Sequence, residues 1–249
     1  MNVSRATVVQ ELLSLYAAPS YLEIGVSEGA TFHSVQARRK VAVDPKFVFD
    51  VAAARATRPE VEYHEVTSDE YFGRIKGPSE RFELIFLDGL HTFEQTLRDF
   101  TNAIECLAPN GVIVIDDVMP DSYFAGISDV TVFRTLRSQQ IAKSASWMGD
   151  VYRLMFFIES FFQQFSYRTV EENHGQAIVW RGRRPSVAER SVESVARTPY
   201  EDAILHADVF RRLELADILS ELRARPVPTA TVSSPYTSPL ERGNGVRSA

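Results

Sequence analysis

Cysteine is nearly missing from this sequence: Cys106 is the only one in 249 residues. An intrachain disulfide framework is thereby excluded, and a reducing compartment suits the chain. Cys106 falls on the apolar side of a helical pattern and reads as core. Positive charge is not in excess either. Lys and Arg number 27 against 33 Asp and Glu, a net charge of −6, so the electrostatic footprint of a nucleic-acid or anionic-membrane binder is lacking. Long apolar runs are also scarce. LMFFIESFFQQF (154–165) is interrupted by Glu159 and falls short of the roughly 20 residues that cross a bilayer. The opening MNVSRATVVQELLSLY has no continuous apolar stretch of the secretion-signal kind and reads as an amphipathic helix within 1–19. These absences predict a cytoplasmic protein with a small-molecule partner, without nucleic acid or membrane.

What is present is an alternation. YLEIGV (21–26), KVAVD (40–44), VEYHEV (61–66), FELIFLD (82–88) and GVIVIDD (111–117) read as strands. The last two are almost wholly apolar, as parallel strands covered on both faces must be. Helical patterns lie at 29–39, 49–56, 68–76 and 92–107. In the last, Phe93, Leu97, Phe100, Ile104 and Leu107 recur at steps of four and three. Thr92 with Gln95 gives it a capping-box start, and Pro109-Asn110-Gly111 ends the unit. SYRTVEE and QAIVWRG, joined by Asn173-His174-Gly175, read as an antiparallel hairpin. The class is therefore α/β: a doubly wound, seven-stranded, mostly parallel sheet with an antiparallel C-terminal hairpin, in a domain spanning 20–182. Residues 183–225 read as a polar linker and an amphipathic helix over 200–222. The apolar side of that helix, with Ile204, Phe210, Leu213, Ile218 and Leu222, needs cover from its own domain or from a second copy in a homodimer. From 226 to 249 Pro, Ser, Thr and Gly dominate, which predicts disorder.

The first strand ends in Glu23-Ile24-Gly25-Val26-Ser27-Glu28-Gly29, and Asp44 ends the second. A glycine turn opening a helix lets a ligand approach the backbone, and a strand-terminal acid can accept both hydroxyls of a ribose. Together they point to a nucleoside-type cofactor. The turn departs from G-x-G-x-x-G at Ser27 and Ala30, which weakens a dinucleotide reading. It also spells G-x-S-x-G, the nucleophile elbow of serine hydrolases, although too few residues precede it for that fold. A non-catalytic nucleotide-binding module is the third alternative. Asp88 and His91 end strand four, and Asp116 and Asp117 end strand five. Neighbouring strands of a doubly wound sheet would gather these carboxylates at one crevice, where hard oxygen donors suit Mg²⁺ or a similar divalent ion.

The order Glu23-x-Gly25-x-x-x-Gly29, Asp44, Phe86-Leu87-Asp88-Gly89-x-His91 and Ile115-Asp116-Asp117 resembles class I S-adenosylmethionine-dependent methyltransferases, and among them the small-molecule O-methyltransferases of macrolide-sugar type and, distantly, of catechol type. The resemblance implies a Rossmann-like methyltransferase fold. It implies that Glu23, Gly25, Ser27, Gly29 and Thr31 hold the methionine end of the cofactor, that Asp44 holds its ribose, and that Ser68 and Asp69 meet the adenine. Asp88 then serves cofactor and metal alike, with Asp116 and Asp117 completing a Mg²⁺ site and His91 as general base. Trp147 and Tyr152, in SWMGDVY, are expected at the wall of an acceptor pocket. The acceptor is expected to be a hydroxyl of a small molecule, a sugar or natural-product scaffold. A metal-independent small-molecule N-methyltransferase is the alternative within the family.

Overall fold

Strands that are apolar on both faces stay folded only if both faces are covered, and the chain arranges two helical layers around one sheet. The computed structural model describes residues 3–141 and 146–225. In chain order the elements are α1 (Arg5–Leu13), β1 (Ser20–Ile24), α2 (Ala30–Ser34), β2 (Arg39–Val43), α3 (Val51–Thr57), β3 (Glu62–His64), α4 (Ser68–Glu70) running into a π-turn at Tyr71–Ile75, β4 (Phe82–Leu87), α5 (Phe93–Cys106) and β5 (Leu107–Ile115). There follow α6 (Val130–Ser138), α7 (Tyr152–Phe161), β6 (Phe165–Val170), β7 (Ala177–Arg181), α8 (Val192–Ala196), α9 (Tyr200–Leu205), a 3₁₀ turn at Ala207–Phe210, β8 (Arg212–Leu213) and α10 (Leu215–Arg223). Among the described residues no helix is long and apolar enough to cross a membrane.

The sheet order is β3-β2-β1-β4-β5-β7-β6-β8, with β1 to β5 parallel and β7 antiparallel to both β5 and β6. Successive strand residues divide between two cores, as the pleat requires. Leu22, Ile24, Ile85, Leu87, Ile113 and Ile115 face the layer holding α5 and α7. Tyr21, Leu84, Phe86, Val112 and Val114 face the layer holding α1 and α10. The parallel register brings Ile24 level with Leu87 and Leu87 level with Ile115, so β1, β4 and β5 end at one height.

Three expectations are corrected. The sheet has eight strands rather than seven, because Arg212–Leu213 pairs in parallel with Thr169 and Val170. This covers backbone groups that an open β6 edge would leave unpaired. The helix expected over 200–222 is consequently broken, and Arg211 takes a left-handed φ of 48° where the chain turns into β8. Most of its apolar side is covered by the chain itself: Ile218 and Leu222 are buried with α1, and Phe210 with α7, whereas Ile204 stays exposed. The polar stretch after β7 is docked as well. Arg184 donates to the carbonyls of Ile158 and Phe162, and Val195 is fully buried. The disorder expected over 226–249 lies outside the described residues.

Candidate active site

The turn after β1 is held open by backbone geometry. Gly25 has φ 85°, and a Cβ there would lie 2.0 Å from the carbonyl oxygen of Asp88, so only glycine lets β1 and β4 end so close together. Ser27, which stands where a glycine is usual, adopts the left-handed φ of 48° that glycine would take. Gly29 (φ 77°) opens α2. Asp44 secures the loop from β2: its Oδ2 accepts the Val26 and Ser27 N–H groups, both at 2.8 Å, and its Oδ1 accepts the Lys46 N–H at 2.8 Å. Below the turn, Glu23 is 2% exposed and accepts the Tyr21 hydroxyl. Burial pushes its carboxyl up to about 8.

A cavity of about 720 Å³ opens at the carboxyl ends of β1, β2 and β4. Glu23, Gly25, Ser27, Thr31, Asp44, Ser68, Asp69, Asp88 and His91 line it. Gly29 does not line it. The residue capping α4 is Thr67, whose hydroxyl accepts the Glu70 N–H, which leaves Ser68 and Asp69 to the cavity. Gln95 of α5 also lines it and holds that rim, donating to Ser68 Oγ (3.2 Å), Asp69 Oδ1 (3.2 Å) and Asp99 Oδ1 (3.1 Å).

Beside the cavity the carboxylates of Asp88, Asp116 and Asp117 converge, with Asp116 and Asp117 nearly inaccessible. Asp117, the second residue after β5, has a left-handed φ of 58°. Three basic side chains meet them. His91 places Nδ1 2.8 Å from Asp117 Oδ2 and Nε2 3.5 Å from Asp88 Oδ1. His174, in the β6–β7 turn, places Nε2 2.9 Å from Asp116 Oδ1. Arg5, in the first turn of α1, reaches Asp116 Oδ2 at 2.5 Å, Asp117 Oδ1 at 3.4 Å and Asp88 Oδ2 at 3.8 Å. Burial alone would lower His91, but its bonds to Asp117 and Asp88 outweigh that and raise it to about 11. Burial, with Asp116 next, lifts Asp88 to about 7 against the opposing pull of His91 and Arg5. Asp88 and His91 thus form an ion pair in which the proton affinity of each depends on the charge of the other.

The loop before α7 closes over His91. Trp147 stacks on the imidazole (centroids 5.3 Å apart, planes 13° off parallel) and offers its carbonyl to Nδ1 at 2.9 Å. Tyr152 is corrected: it is 1% exposed, packs in the core beside Tyr200, and donates its hydroxyl to the Thr198 carbonyl, so it forms no pocket wall. At Gly149, with φ 63°, a Cβ would fall 1.6 Å from the His91 carbonyl oxygen. Gly149→Ala is therefore expected to destabilise the fold by roughly 2–4 kcal/mol, read by urea denaturation, because neither backbone can yield without moving His91.

Arg5, Gln95 and His174 are site residues that sequence reading missed. His174 had a legible signal: a turn leading into a strand antiparallel to β5 must land beside Asp116, since Ala177 pairs with Ile115. Gln95 was visible only as a cap partner. Arg5 had no signal, because nothing local says where α1 docks.

Residues 22–118 match the family described as methyltransferase domain. That match decides against a hydrolase elbow at 25–29. No curated protein matches the chain. Solved structures similar to it include the O-methyltransferase TomG from Streptomyces achromogenes, involved in tomaymycin synthesis and in complex with SAM (20% identity, TM-score 0.46, 72% of this chain and 81% of that one). An O-methyltransferase from Bacillus cereus in complex with SAH is 17% identical, with TM-score 0.48, over 73% of this chain and 83% of that one. The SAH-bound Podospora anserina methyltransferase PaMTH1 is 15% identical, with TM-score 0.49, over 72% and 80%. The likeness to a methyltransferase domain covers residues 22–118, and the resemblance to class I S-adenosylmethionine-dependent methyltransferases stands with it.

Proposed function

We propose that the protein is a cytoplasmic S-adenosylmethionine-dependent O-methyltransferase acting on a hydroxyl of a small molecule, a sugar or natural-product scaffold. One observation carries this reading: a single cavity has the Asp44-braced glycine turn on one wall and the Asp88–His91 pair on another. The cofactor, when bound, supplies a methyl group on a sulfonium. The turn at 25–29 with Thr31 and Glu23 would take its methionine end, Asp44 its ribose, and Ser68, Asp69 and Gln95 its adenine edge. Displacement forms an O–CH₃ bond as the S–CH₃ bond breaks, so alignment of the two ends contributes much of the rate. The hydroxyl proton goes to the Asp88–His91 pair, with His91 Nε2 as the base once it has lost the proton it carries in the resting state. Trp147 fixes the plane of that imidazole. The net charge of −6 argues against a nucleic-acid acceptor.

The residues fit a divalent cation. Asp88, His91 and Asp117, and again Asp116, Asp117 and His174, bring donor atoms within 4.8 Å of one another, and the buried Asp116 Oδ2 is met by Arg5 Nε as an ion pair without a well-directed hydrogen bond. Asp88, Asp116 and Asp117 would hold Mg²⁺, which supplies charge stabilisation for a developing alkoxide. Ile204 and Leu205, 60% and 75% exposed, are where a homodimer contact would form, and a monomeric sedimentation profile removes that idea.

Thermal unfolding should rise with S-adenosylhomocysteine and not with NAD, by about 2.7 kcal/mol of stability at a ligand concentration of about 100 Kd. A shift with NAD alone overturns the cofactor. In a radiolabelled-methyl assay EDTA should suppress turnover and Mg²⁺ restore it. Full turnover in EDTA selects the second reading, a metal-independent N-methyltransferase, which is favoured by the fact that Arg5 already faces the same carboxylates.

A further inference from the structure

We propose that Arg5 and a divalent cation are alternative occupants of one carboxylate cage, so that the cation enters only by displacing the Arg5 guanidinium. The inference rests on the divalent-cation reading of Asp88, Asp116 and Asp117.

The first argument is position. A single guanidinium faces the three carboxylates that would ligate the ion, at 2.5, 3.4 and 3.8 Å. A dication and a guanidinium repel each other at such separations, and the surrounding low dielectric strengthens that repulsion, so the two do not share the cage.

The second argument is imperfect satisfaction. The Asp116 side chain is 1% exposed, yet its Oδ2 makes no hydrogen bond even with Arg5 Nε beside it. A planar guanidinium fork matches one carboxylate edge-on. It does not satisfy three that converge from two strand ends. Arg5 therefore neutralises the cage without fully satisfying its least exposed carboxylate, Asp116.

The third argument is freedom to leave. The Arg5 side chain is 39% exposed and borders the open cavity, whereas its helix is seated elsewhere, through Val8, Val9, Leu12 and Leu13. The start of α1 is tied to the β6–β7 turn by the Val3 N–H to Glu172 carbonyl bond at 3.0 Å. The guanidinium can thus swing into the cavity mouth while α1 stays docked. Occupancy by Arg5 then lowers the apparent metal affinity by the fraction of molecules whose cage is open.

The test is Mn²⁺ binding to the full chain without cofactor, followed by electron paramagnetic resonance and calorimetry. Wild type, Arg5→Gln, Arg5→Lys and Asp116→Asn are compared. Arg5→Gln should bind Mn²⁺ about tenfold or more tightly than wild type, since the competing cation is gone. Asp116→Asn should lose binding. Equal or weaker binding by Arg5→Gln overturns the proposal and leaves the metal reading standing. Binding by neither wild type nor Arg5→Gln ends both. Tighter binding that survives Asp116→Asn places the ion elsewhere and also overturns the proposal. Should Arg5→Gln fold poorly, a measurement on wild type decides: its Arg5 Nε–H nuclear resonance, assigned by comparison with Arg5→Lys, should shift as Mg²⁺ binds. A resonance that stays fixed while Mg²⁺ binds sinks the displacement.

Discussion

Asp44→Ala is expected to abolish the thermal shift produced by S-adenosylhomocysteine and to weaken cofactor binding by about 10² or more. Two losses combine. The ribose would lose its acceptor, and the Val26, Ser27 and Lys46 N–H groups would lose theirs. Each charge-assisted bond of this kind contributes about 1.5–3 kcal/mol, and orphaned donors near the turn carry a further penalty. The variant should still fold, because the strands beside Asp44 are buried through Val41, Ala42 and Val43 rather than through the turn. Asp44→Asn separates the two losses. Its single amide oxygen can accept from Val26 and Ser27 or from Lys46, but not from both sides, so an intermediate affinity is expected. Undiminished cofactor binding by Asp44→Ala would remove Asp44 from the site.

His91→Ala should leave cofactor binding in place and slow methyl transfer by roughly 10²–10⁴-fold, the range for a lost general base. Part of that loss should return at higher pH, where more of the acceptor hydroxyl ionises unaided. A second readout needs no acceptor. In the metal-free protein His91 is raised to about 11 by its bonds to Asp117 and Asp88, which outweigh burial. A raised folded-state value means that the stabilisation is fully present below the unfolded value of about 6.5 and is lost as pH climbs toward the folded one. The melting-temperature gap between wild type and His91→Ala should therefore be widest near pH 6 and narrow steadily toward pH 10. A gap that is flat with pH would mean that His91 acts by packing against Trp147 rather than by charge. Full activity in His91→Ala would remove the base.

The sequence by itself determined the strands at 82–88 and 111–117, the capped helix between them, the glycine turn with Asp44, and the set Asp88, His91, Asp116 and Asp117 at the strand ends. Each of these is written in local signals: continuous apolar runs, a 3.6-residue period, a Thr cap, glycines where the backbone must turn. A parallel sheet then brings its carboxyl ends to one side, so residues at those ends meet without further instruction. Tertiary structure alone decided the rest. Arg5 reaches Asp116 only because Val8, Val9, Leu12 and Leu13 are buried on the same sheet face as α10, a docking that no local pattern encodes. Tyr152 and Trp147 belong to one short motif, yet one is core and the other covers His91, because the left-handed Gly149 reverses the chain between them. The eighth strand exists because β6 had an open edge, and Arg212 and Leu213 carry no strand signal of their own. Periodicity specifies which face of an element is apolar, whereas which partner covers that face is settled by competition among all the apolar faces of the folded chain.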